Sequence, residues 1–310
     1  MVRPRDREIA ERLEAELLFS DQQMRPLPGI RDRARREVLI EQLIESMHRV
    51  RYATLLPEAN ISEQRADPND ALFDPLKAAV LHFRRGSADE AFWLVFLFVH
   101  FGKHSRGGWR YVREVYGRLG DGGRWDWSHT SGDPPEFRLW LRDHGKQIRR
   151  PGAPGGFGNH RKYQSLDGFS PMGTGATVES YVRWVNPPRS HMQLIDEALQ
   201  AADGDRRDAF DLLYRSMSAV IGFGRTARFD YLTMLGKLGF GSIEPGSAYL
   251  QGATGPLTGA QLLFGERSSA KELDAYLQQL DINLDVGMQV LEDALCNWQK
   301  SPERFVRFRG

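Results

Sequence analysis

AFWLVFLFVHF, residues 91–101, is the most apolar stretch of the chain. Its 11 residues fall well short of the roughly 20 that a membrane-spanning helix needs. Ser87 and Glu90 stand just before it at the spacing of a helix-start capping box, and Gly86 closes whatever precedes them. The stretch therefore reads as a buried central helix. Outward from it the same signal recurs. Apolar positions three and four apart, as in Leu39, Leu43, Met47 and Val50, predict helices over 6–19, 30–56 and 75–85. Further helices are expected over 109–119 and 135–148, then 177–185, 192–202, 206–221 and 226–238, and last 259–264, 270–279 and 284–300. No alternating strand of useful length and no repeat period stands out, so the expected class is all-α, a compact multi-helix protein with long Gly-rich loops. The polar, proline-bearing residues 57–72 read as a surface loop.

Composition is that of an ordinary globular chain: 310 residues, 41% hydrophobic and 27% charged. That length suits one large domain, 1–310, or two sub-lobes, 1–148 and 176–310, joined by 149–175. Forty-two Lys and Arg against 41 Asp and Glu leave a net charge of +1, so any nucleic-acid contact must come from a local patch. The single cysteine, Cys296, excludes a disulfide framework and a multi-cysteine zinc site and fits a reducing compartment. The charged N-terminus lacks the apolar run of a secretory signal, and a cytoplasmic location is expected. Walker, Rossmann, nucleophile-elbow and CxxC signatures are missing, which disfavours nucleotide triphosphatases, dehydrogenases and common hydrolases and calls for no cofactor.

Two Gly-bounded basic motifs stand out. GFGNHRKYQSL, residues 156–166, places Asn159, His160, Arg161, Lys162 and Tyr163 after glycines, where N–H groups, two cations and a ring meet a phosphate or a base, unless the run is only a solvated loop. GFGRTARFDYLTMLGKLG, residues 222–239, puts Arg225, Thr226, Arg228 and Asp230 in the opening turns of a helix and Lys237 near its end. A Gly-led helix N-terminus with arginines suits an anion; the plainer reading pairs Asp230 with Arg225 or an adjacent arginine. Trp125 and Trp127, in WDWSHTSGDPPEF, are candidates for stacking on an extruded base or, alternatively, pins that hold a loop to the core. HFGKH, residues 100–104, has two histidines but no HExxH glutamate, so no metal is assigned. The irregular segment 149–175 is long for a connection inside a compact domain and points to function or to a linker.

FGNHRKYQSL (157–166), TVESYVRWV (177–185), FGRTARFDYLTMLGKLG (223–239) and IEPGSAYLQGATGPLTGA (243–260) together resemble the alpha-glutamyl/putrescinyl-thymine pyrophosphorylase family, in its bacterial third clade, over roughly residues 85–265. The resemblance implies a fold like that of helical DNA glycosylases and an enzyme of DNA base hypermodification. A thymine carrying a 5-pyrophosphoryloxymethyl group is flipped out, and the amine of an amino acid or polyamine displaces pyrophosphate. It further implies Asp230 or His160 as the base, Asn159, Arg161, Lys162, Arg225, Thr226, Arg228 and Lys237 on substrate phosphates, and Tyr163 or a tryptophan against the base. LGKLGFGSIEPG (235–246) is only loosely like the glycine-turn hairpin with which helical glycosylases grip DNA. Three alternatives stay open: glycosylase-like excision of a modified base, a non-catalytic nucleic-acid-binding or defence module sensing phage-modified DNA, and a helical scaffold.

Overall fold

The structure is a computed structural model that describes residues 3–161, 163–265 and 268–307, without the side chain of Asn159. Among the described residues it is all-helical: fourteen α-helices, no strand, and two isolated bridges, His104–Gly108 and Ser165–Gly173. In chain order the helices are α1 (Arg7–Gln23), α2 (Arg33–Leu55), α3 (Pro75–Arg84), α4 (Ala88–Phe101), α5 (Arg110–Tyr116), α6 (Trp127–Gly132) and α7 (Pro134–Ile148). There follow α8 (Thr174–Val185), α9 (His191–Ala201), α10 (Arg206–Ser216), α11 (Arg225–Lys237), α12 (Gly255–Phe264), α13 (Ala270–Leu284) and α14 (Met288–Trp298). No described helix is long and apolar enough to cross a membrane. The chain divides into two compact units, Met1–Thr54 with Pro245–Arg309, and Leu55–Glu244.

The first unit brings both ends of the sequence together. Leu13 and Leu17 of α1, Leu39 and Leu43 of α2, Leu273 and Leu277 of α13, and Leu291, Leu295 and Trp298 of α14 form one buried cluster. Within each helix these positions lie three, four or seven apart, so each helix turns a single stripe inward. Two boundaries differ from the sequence reading. α12 begins four residues early because Pro256 brings to the first turn a φ already suited to the helix and lacks only an N–H that this turn would leave unpaired. The expected 284–300 helix starts only at Met288. Asp285 and Gly287 adopt positive φ, and the Asp281 carboxylate accepts the N–H groups of Val286 and Gly287, closing α13 first.

In the second unit α4 is the central helix, with Ala91–Leu97 buried on every side and α3, α9 and α11 packed against it. The capping box expected at its start does not form. Ser87 makes no side-chain cap, and Glu90 turns inward to accept the Tyr116 hydroxyl and the Trp127 N–H. α6 was not visible in the sequence. It is a short helix capped by Asp126, whose carboxylate accepts from the His129 N–H at 2.8 Å.

Segment 149–175 lies inside this second unit. It has almost no backbone ladder, yet its carbonyls need donors, and arginines of α5, of α7 and of the segment itself supply them. Arg110 donates to the carbonyls of Ile148 and Pro154 at 2.9 and 2.7 Å, Arg138 to Gly168 at 2.8 Å, and Arg149 to Leu166. The segment is thereby laid across α7 in a defined path.

Candidate functional site

An α-helix leaves its last four carbonyls without helical partners, and the C-terminus of α4 solves this with the first basic motif. The Gly158 N–H donates to the Phe101 carbonyl at 2.7 Å, and Arg161 Nε donates to Val99 O at 2.8 Å. A cation there also opposes the negative end of the helix dipole. The approach needs two glycines. Gly102 sits at φ +64°, and a Cβ on Gly158 would come within 2.9 Å of the Gly102 carbonyl carbon and the Lys103 nitrogen.

The other edge of the same guanidinium reaches α11. Arg161 Nη2 donates to Asp230 Oδ2 at 2.9 Å, and Nη1 donates to the His160 carbonyl at 3.3 Å. A third link, from Gln164 Nε2 to the Gly222 carbonyl at 3.2 Å, fastens the loop to the turn before α11. α8 closes the arrangement: the Thr174 hydroxyl donates to Ser165 O at 3.0 Å and so accepts from His100 Nε2 at 3.0 Å, which assigns the Nε2–H tautomer to His100. Burial, and then the charge of Arg161, push the His100 pKa down to about 3, so that ring is neutral. The two motifs thus meet at one ion pair, with Arg161 only 10% exposed and Asp230 45% exposed.

The remaining candidates fall into distinct places. His160 and Thr226 are exposed, and Arg225 is half-buried with its guanidinium 4.9 Å from the Phe229 ring centre. Thr226 and Asp230 are four apart on one face of α11; Lys237 shares that face roughly 10 Å further along the axis. Arg228 points elsewhere. It stacks over Tyr214 at 4.4 Å and donates to the Tyr214 carbonyl at 3.0 Å, which binds α11 to α10 and takes it away from any phosphate at Asp230. Asp230 pairs with Arg161, where the sequence pointed to Arg225 or an adjacent arginine. Tyr163 is 89% exposed, whereas Trp125 and Trp127 are buried, so the tryptophans pin the α5–α7 region and present no face to a base. Lys162 and the Asn159 side chain lie outside the described residues. His104 is off the helix that carries His100, its Nδ1 accepting from the Gly107 N–H at 3.0 Å.

Sequence reading missed a second, deeper set. His191 Nδ1 and its backbone N–H both lie 2.7 Å from Asp89 Oδ1, its Nε2 lies 2.7 Å from the Tyr181 hydroxyl, and that hydroxyl is 2.8 Å from the Tyr231 hydroxyl. Burial lowers the His191 pKa, against the pull of Asp89. Burial alone would raise Asp89, but its hydrogen bonds from His191 prevail and hold it low. A neutral ring between an anion and a phenol donates from Nδ1 and accepts at Nε2, so Tyr181 donates to His191 and Tyr231 donates to Tyr181. Tyr181 and Tyr231 belong to the two stretches TVESYVRWV and FGRTARFDY, and their hydroxyls join α8 to α11 behind Asp230.

Glu90 gives this core a pH signature. Burial raises its pKa from 4.5 to about 7, despite hydrogen bonds from Trp127 and Tyr116. The folded state keeps this proton where the unfolded chain has lost it, so the contribution is full below pH 4.5 and is lost as pH rises through 7, by an amount on the order of 3 kcal/mol. His100 and His191, with lowered values, act in the opposite sense at acid pH. The difference in unfolding free energy between wild type and Glu90→Gln isolates the carboxyl, and it is expected to shift by that amount between pH 4 and 8. A pH-independent difference in urea titrations contradicts it.

Among the described residues no three His, Cys, Asp or Glu side chains gather as metal ligands do. Neither a curated protein nor a solved structure matches the chain. One family does, described as alpha-glutamyl/putrescinyl thymine pyrophosphorylase clade 3, and its match extends over residues 34–310, beyond the stretch in which the resemblance was legible. It spans both basic motifs and the helices on either side of them, and the chain belongs to that family.

Proposed function

We propose that the chain modifies thymine in DNA, joining an amine to a 5-pyrophosphoryloxymethyl uracil with loss of pyrophosphate. The nitrogen lone pair attacks the 5-methylene carbon, the carbon–oxygen bond to pyrophosphate breaks, and the leaving group departs with that electron pair. The proton left on the new secondary amine passes to a base. Asp230 is that base, with exposed His160, on the loop that carries Arg161, as the alternative. Arg161 acts as a positioning residue: it is committed to Val99 and Asp230 and aims the carboxylate. The pyrophosphate is held by Arg225, Thr226 and the N–H groups of the first turn of α11, an arrangement favourable to anions. Tyr163 stacks on the extruded base.

What carries this reading is the Arg161–Asp230 pair, which joins the two basic motifs of a thymine pyrophosphorylase family and leaves the carboxylate partly open to solvent. Anisotropy titrations with duplex DNA, with and without a pyrophosphorylated thymine, at two salt concentrations test it. Tighter, salt-sensitive binding of the modified duplex is expected, and equal affinity for both duplexes rejects the site. Tyr163→Ala is expected to weaken binding of the modified duplex by roughly 1–3 kcal/mol, with the unfolding midpoint unchanged; undiminished affinity removes Tyr163 from the site.

A further inference from the structure

We propose that α7, together with the loop laid across it, is the surface that holds the DNA backbone beside the modified base; this rests on the reading above. Residues 138–150 carry five cations, Arg138, Arg142, Lys146, Arg149 and Arg150, against one carboxylate, Asp143, in a chain whose net charge is only +1. The local surplus is thus four positive charges. Arg138, Arg142 and Lys146 are spaced four apart on one face of α7, and Arg149 follows at the helix end. Arg138 to Lys146 span about 12 Å of helix, a length over which one strand of a duplex presents about three phosphates at ~3.4 Å each.

The same face presents an aromatic ring. Phe169 is 49% exposed, with the Arg138 and Arg142 guanidiniums 5.0 and 5.9 Å from its ring centre. Cations flanking an open aromatic are the two components of a single-strand platform, charge for the backbone and a face for a base. Phe169 and Tyr163 stand on one loop, which runs from the Arg161–Asp230 pair to α7 and is held to it through Leu166 and Gly168. The candidate site and the basic stripe are thus the two ends of one segment.

The carboxylates near the stripe do not cancel it. Glu179 pairs with Arg138 and Arg183, Asp143 with Arg142, and Glu114 with Arg110 and Arg150. The Arg142–Asp143 pair is solvent-exposed on both sides and therefore weak, so a phosphate can take the place of that carboxylate; Glu179 and Glu114 lie largely buried against Arg138 and Arg110. Asp167, on the docked loop, is held low by the N–H groups of Ser170 and Phe169 and also feels the charge of Arg149; Lys146 is exposed in the last turn of α7.

The test uses the full chain and fluorescein-labelled thymine-containing oligonucleotides, single-stranded and duplex, titrated from low to moderate salt. The variants are Arg142→Gln with Lys146→Gln, both exposed, and Phe169→Ala. The double variant is expected to lose about two units of the log–log salt slope and at least tenfold in affinity on both DNAs. Phe169→Ala should keep the slope and lose roughly tenfold on the single strand. Circular dichroism and the unfolding midpoint establish that each variant is folded. If wild type binds with a steep slope and the double variant matches it, the stripe serves another partner and this proposal fails while the base-modification reading stands. If wild type binds neither DNA at any salt, both fail together.

Discussion

Replacing Asp230 with Asn is expected to lower turnover by roughly 10²–10⁴-fold, the span that a general base contributes, and to leave DNA affinity within about twofold. The substitution keeps the size of the side chain and an oxygen for Arg161 Nη2, which donates to Asp230 at 2.9 Å, so the loop stays docked while the proton acceptor is lost. Binding is expected to survive because the proposed backbone contacts lie on α7 and the proposed phosphate donors on the first turn of α11. Arg161→Gln is different in kind. It removes the cap on Val99 O and frees the loop, so its loss of turnover is accompanied by lower stability. Full turnover in the Asn variant removes Asp230 from the chemistry.

Trp125→Ala is expected to cost about 3–5 kcal/mol of stability, as deleting a fully buried large aromatic does. The ring is 0% exposed and packs edge-on to Phe137 and Trp140, with centroids at 5.2 and 5.9 Å. Arg118 covers it at 4.9 Å. Its backbone is tied on both sides, the N–H donating to Tyr116 O at 2.8 Å and the carbonyl accepting from Trp93 Nε1 at 2.8 Å. The indole Nε1 is buried without a partner, so Trp125→Phe should cost far less than Trp125→Ala because it also deletes an unsatisfied donor. Urea unfolding measures both. A Trp125→Ala protein of wild-type stability but weakened DNA binding contradicts the core assignment.

Helix content was legible in the sequence because apolar spacing is a local signal, and α4, α8 and α11 appear within a few residues of their expected limits. What escaped was set by side chains that satisfy backbone groups from a distance. α6 depends on the Asp126 cap, and the break before α14 depends on Asp281 accepting two N–H groups; neither leaves a periodic trace. Glu90 has the spacing of a capping residue yet finds its partners in Tyr116 and in the Trp127 N–H, 26 and 37 residues away. The two basic motifs were legible as motifs, but their junction was not, since Arg161 and Asp230 are 69 residues apart. The network behind them, from Asp89 through His191 and Tyr181 to Tyr231, draws on four helices. Histidine and tyrosine on the buried faces of amphipathic helices read as core, and only the fold aligns their hydrogen bonds.

The most direct test of the proposed reaction is mass spectrometry of nucleosides from DNA bearing 5-pyrophosphoryloxymethyl uracil, after incubation with the protein and a free amino acid or polyamine. The account predicts a base heavier than 5-methyleneuracil by the amine, one pyrophosphate released per base modified, and neither with Asp230→Asn. An abasic site in place of the modified base, or unchanged DNA in the presence of every amine, contradicts it.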